Sequence, residues 1–82
     1  MNTYKTSNVC SSKIHFDVAD NKIIFVTFEN GCDGNLKGIS SLIKGMDIDD
    51  AILRLKEITC GSKTTSCPDQ LAEALIEYQS KK

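Results

Sequence analysis

The chain has 82 residues, 26% of them charged and 40% hydrophobic, and its ten basic and eleven acidic side chains leave a net charge of −1. A chain this short makes a single domain, residues 1–82, that buries only about 60% of the surface its unfolded form exposes, so an added cross-link helps it. Charge without a basic block gives no support for a nucleic-acid partner. No run approaches the roughly 20 apolar residues of a membrane span, and no apolar segment near the start reads as a signal peptide. The expectation is a cytoplasmic protein whose four cysteines stay reduced.

In chain order, residues 13–18 alternate strictly, with Ile14, Phe16 and Val18 on one face, which predicts a half-buried strand. Asp20 and Asn21 tolerate positive φ and form a turn into a second strand, Lys22 to Phe28. On that strand Ile24, Val26 and Phe28 share one face and Ile23 and Phe25 the other. Two apolar faces predict a central strand, paired on its free side with a segment near Tyr4 to Val9 or buried in a homodimer contact. After Gly31 the period becomes helical. Leu36, Ile39, Leu42 or Ile43, and Met46 mark a first helix stopped near Gly45; Asp47 caps a second, striped by Ile48, Ala51, Ile52, Leu55 and Ile58. Ser66 and Asp69 resemble a capping box, and Pro68 fits a first turn, so a third helix runs from about Cys67 toward Tyr78 with Leu71, Ala74, Leu75 and Tyr78 inward. Strands first and helices after predict an α+β domain, a small antiparallel sheet with three helices packed on one face.

The cysteines fall at the junctions of these elements. Cys10 precedes the first hairpin strand, Cys32 lies between Gly31 and Gly34 before the first helix, Cys60 precedes Gly61, and Cys67 opens the third helix. A helix start offers free N–H groups and the positive end of a dipole, which suit an anionic sulfur. The hairpin brings its two open ends together, so Cys10 and Cys32 are expected as neighbours, with Cys67 and Cys60 joining them at one end of the sheet. Three uses of the four thiols stay open: core packing, a Cys60–Cys67 disulfide, and coordination of a metal by at least three of them, which this placement favours. His15, on the polar face of a strand, reads as surface histidine before it reads as a ligand. Residues 31–35 lack the lysine of a P-loop and the glycine spacing of a dinucleotide site.

The run Thr65-Ser66-Cys67-Pro68-Asp69 matches the motif that names the TSCPD domain. Residues 31–40 together with Cys60-Gly61-Ser62-Lys63 resemble the rest of that family's pattern, so the resemblance covers nearly the whole chain. The family includes free-standing small proteins and a C-terminal module of adenosylcobalamin-dependent ribonucleotide reductases. The resemblance implies family membership and a cysteine-based site, but not reductase activity, for which this chain has no room. A fainter similarity is to the U-type (IscU-like) iron-sulfur cluster scaffold proteins. Cys10, Cys32 and Cys67, followed by Leu71-Ala72-Glu73, look like the three cysteine positions of those scaffolds. Ser12 stands where they have an aspartate, Ser66 where many have a histidine, and Cys60 is additional.

Two functional classes follow. One is a metal-binding module holding zinc or an iron-sulfur cluster on Cys10, Cys32, Cys60 and Cys67, accessory to ribonucleotide reductase or to iron-sulfur machinery. The other is a thiol-redox accessory protein cycling a Cys60–Cys67 disulfide, weakened by the absence of a Cys-x-x-Cys pair. With one badly placed histidine, no catalytic residue is assigned.

Overall fold

The computed structural model describes residues 2–6, 11–30, 33–58 and 65–81. Cys10, Cys32 and Cys60 lie outside them, as do Gly31 and residues 61–63. Three strands come first, β1 (Asn2–Lys5), β2 (Lys13–Ala19) and β3 (Lys22–Glu29), then three helices, α1 (Asp33–Ile43), α2 (Ile48–Leu55) and α3 (Cys67–Ser80). The domain is α+β, as its element order predicts.

The sheet runs β1-β2-β3, antiparallel throughout. Its hairpin turn uses the expected dipeptide, with Asp20 at φ 52° and Asn21 at φ 64°. Two expectations are corrected. The added strand is Asn2–Lys5, the Val9 end of the expected segment lying outside the described residues, and it pairs with β2, Thr3 opposite His15 and Tyr4 opposite Ile14, so β2 is the central strand. The reason is that the start of the outer edge of β3 is already taken by the α1–α2 connection. The Ile23 N–H donates to the Met46 carbonyl at 3.0 Å, the Ile23 carbonyl accepts from Gly45 N–H at 2.7 Å, and Ile48 N–H reaches the Asn21 carbonyl at 3.0 Å.

The second correction concerns faces. Asp17 is opposite Phe25 but Val18 is opposite Ile23, so a bulge leaves Ile24 as the extra residue. That one-residue step brings Ile23 onto the inner face with Val26, both buried, and turns Ile24 outward at 46% exposure.

The inner face carries a single core. Ile14, Phe16, Ile23 and Val26 meet Ile43 of α1, Ile48, Ala51 and Leu55 of α2, and Leu71, Ala72, Ala74 and Leu75 of α3. Each fully buried leucine or isoleucine here contributes about 1.5–3 kcal/mol. Tyr78 closes one end, its ring edge-on to Phe16 with centroids 6.0 Å apart. In α1 the inward residue of the adjacent pair is Ile43, while Leu42 is 79% exposed. Gly45, at φ 85°, takes the left-handed turn that ends this segment. The stripe of α2 stops sooner than its periodicity suggests: Glu57 adopts φ 65°, the helix ends at Leu55, and Ile58 lies beyond it, partly exposed. Among the described residues no helix is long and apolar enough to cross a membrane.

Candidate thiol site

Cys67 is the first residue of α3, and the polar residues around it form a clasp. Ser66 sits at the N-cap in extended conformation, φ −150° and ψ 171°. Its hydroxyl accepts from Asp69 N–H at 3.2 Å and donates to the Ile58 carbonyl at 2.6 Å. The forward half of a capping box is therefore present. Asp69 does something else with its carboxylate: one oxygen accepts from the Glu57 N–H and the other from the Thr65 hydroxyl, each at 2.6 Å. Gln70 donates its side-chain amide to the Thr65 oxygen at 3.0 Å, and its backbone N–H to the Ser66 carbonyl at 2.8 Å. Thr65, Ser66 and Gln70 are buried, so these bonds satisfy groups that would be costly to leave unpaired. The clasp ties the start of α3 to the chain leaving α2, on both sides of the stretch that contains Cys60.

The far side of Cys67 belongs to the sheet. Ser11, 2% exposed, places its Oγ 3.2 Å from the Cys67 sulfur. Its carbonyl accepts from the Thr6 hydroxyl, while Thr6 N–H donates to the Ser12 carbonyl at 3.2 Å. Ser12 N–H in turn donates to the Glu29 carbonyl at 2.8 Å, and the Asn30 amide donates to the Ser12 hydroxyl at 2.9 Å. The open end of the β2–β3 hairpin therefore abuts the start of α3. The residue after Cys10 touches Cys67, and residues just before Cys32 are bonded to Ser12.

Of the four candidate ligands, Cys67 falls within the described residues and Cys10, Cys32 and Cys60 do not. Among the described residues no group of three or more His, Cys, Asp and Glu could hold an ion. His15 has other partners: Nδ1 lies 3.0 Å from the Thr3 hydroxyl and Nε2 meets the Glu29 carboxylate. Sequence reading missed Ser11 and Thr65. Thr65 stood inside a motif already singled out; Ser11 is 56 positions from Cys67, and no local signal marks it.

A separate cleft of about 220 Å³ lies between β1 and α3, lined by Tyr4, Phe16, Glu77 and Tyr78 among others. Burial, then the carboxylates of Glu73, Glu77 and Asp69, raise the Tyr4 phenol above its ordinary value.

A family model, the TSCPD domain, matches residues 2–79. The chain belongs to the TSCPD domain family. Neither a curated protein nor a solved structure matches it, and the likeness to the U-type scaffolds finds no support in these comparisons. In this TSCPD domain the eponymous residues divide by task. Thr65, Ser66 and Asp69 make the clasp, and Pro68 occupies the first helical turn, where its missing N–H costs nothing. Among the described residues the Cys67 sulfur meets the Ser11 hydroxyl and makes none of the clasp's bonds.

Proposed function

We propose that this TSCPD domain is a small cytoplasmic metal-binding module in which Cys10, Cys32, Cys60 and Cys67 hold zinc or an iron-sulfur cluster. The observation that carries the reading is the 3.2 Å contact from Ser11 to the Cys67 sulfur, because it brings the residue beside Cys10 to the start of α3. The Ser12–Glu29 and Asn30–Ser12 bonds extend the argument toward Cys32, and the Ser66–Ile58 bond toward Cys60. The donor set fits the group: sulfur ligands suit zinc and iron-sulfur clusters, and four thiolates around a divalent ion leave a net charge of about −2 that needs N–H donors nearby. In the first turn of α3, Pro68 has no N–H and those of Asp69 and Gln70 go to Ser66, so the donor that the described residues supply to the Cys67 sulfur is the Ser11 hydroxyl. The family setting favours a ribonucleotide reductase as the protein partner.

The Ile58–Ser66 bond also favours a second reading. By closing the stretch between α2 and α3 it supports a Cys60–Cys67 dithiol that exchanges electrons with a partner. Peptide mapping after alkylation of the anaerobically reduced protein separates the two. The metal reading expects zinc or ferrous iron to protect Cys67 and the other cysteines from the reagent. Unchanged labelling with metal, together with a reversible Cys60–Cys67 bond under mild oxidant, would replace it with the redox reading.

A further inference from the structure

We propose that Ser11 is a positioning residue that donates a hydrogen bond to the Cys67 sulfur when that sulfur is a metal ligand, an inference that rests on the metal-binding reading. Ser11 is buried, and among the described residues its hydroxyl meets the Cys67 sulfur. The position of that hydroxyl is set by the sheet, not by the helix it faces. The Ser11 carbonyl accepts from Thr6, and the next residue is anchored through its N–H to Glu29. Cys67 is fixed independently by the α3 clasp. Two rigid elements therefore meet at one oxygen and one sulfur.

The chemistry sets the direction of the bond. A thiol can donate or accept, but a ligated thiolate has no proton, so the Ser11 O–H must be the donor. A hydrogen bond to an anionic acceptor is stronger than a neutral one and draws electron density from the sulfur. Such bonds, one layer outside the ligands, tune the electronics of thiolate-bound metals. Ser12 provides the internal control. Its hydroxyl faces the Glu29 carbonyl and the Asn30 amide instead of Cys67.

The test uses the full chain loaded with cobalt(II), whose thiolate-to-metal charge-transfer band reports on sulfur directly. Ser11→Ala should move that band to lower energy, and alkylation of metal-bound Cys67 should quicken about fivefold, the rate equivalent of one lost hydrogen bond. Ser11→Thr should restore the parent band, and Ser12→Ala should leave it in place. Should Ser11→Ala not fold, Ser11→Thr against Ser11→Val supplies the same contrast at constant shape. In the metal-free reduced protein, the Raman spectrum should show one S–H stretching band displaced by Ser11→Ala and none by Ser12→Ala. A cobalt band that is present but unmoved, or S–H bands that do not change, overturns the role of Ser11 alone. A parent protein with no cobalt-thiolate band overturns the metal-binding reading and this inference with it.

Discussion

The starts of α2 and α3 are built in opposite ways. Asp47 occupies the N-cap of α2 but makes no side-chain capping bond; its carboxylate instead takes the Lys22 ammonium at 2.9 Å, with both groups about half exposed. What holds α2 is burial of Ile48, Ala51 and Leu55, aided by the Ile48 N–H on the Asn21 carbonyl. The start of α3 depends on directional polar contacts through Thr65, Ser66, Asp69 and Gln70. Apolar packing tolerates small adjustments, whereas a set of short hydrogen bonds fixes position. A helix whose first residue must be held in one place calls for the second construction.

Asp69→Ala should do the most damage, because it takes from the buried Thr65 hydroxyl its charged acceptor, leaving that O–H only a 3.5 Å contact to the Ser66 carbonyl, and releases the Glu57 N–H. A loss of about 2–3 kcal/mol is expected from denaturant melts, and a loss under about 0.5 kcal/mol would mean the clasp does not hold the helix. Ser66→Ala comes next, at about 1–2 kcal/mol, since it removes the cap and the bond to Ile58 together. If Asp69→Ala and Ser66→Ala prove fully additive, the clasp is not acting as a unit.

Tyr4 gives a smaller, pH-dependent effect. Its folded phenol is raised above the ordinary 10.0 by burial and by Glu73, Glu77 and Asp69. A raised value means this contribution is present below pH 10.0 and is lost as pH climbs through the folded value. Tyr4→Phe should flatten the alkaline fall in melting temperature while leaving the curve at neutral pH nearly unmoved; an unchanged alkaline limb would contradict the assignment. Asp47→Ala should matter least. Its melting temperature should stay within replicate scatter of the parent at low and high salt alike, because an exposed ion pair contributes little. A clear drop at low salt would show that α2 is capped electrostatically after all.

Local signals made much of this legible. The Asp20-Asn21 turn, the change of period after Gly31 and the Ser66-Pro68 helix start each act within a few residues, and each appears where the sequence puts it. The misses are non-local. Asp47 looks like a cap until Lys22, 25 positions earlier, claims its carboxylate. The pairing of β1 depends on the α1–α2 connection occupying the edge of β3, and the face of Ile23 depends on a bulge that no alternation pattern announces. At the candidate site, the helix start and Cys67 could be read from the motif. The meeting of Ser11 with Cys67 could not, since it is made by the closure of the sheet against α3.

Native mass spectrometry of the anaerobically purified chain tests the proposal that Cys10, Cys32, Cys60 and Cys67 share a metal. The account predicts bound zinc or an iron-sulfur cluster, with the mass lowered by the protons its thiolates release, and loss of that species in Cys67→Ser. A metal-free chain carrying the mass deficit of a disulfide, or a Cys67→Ser variant that retains the metal, would contradict it.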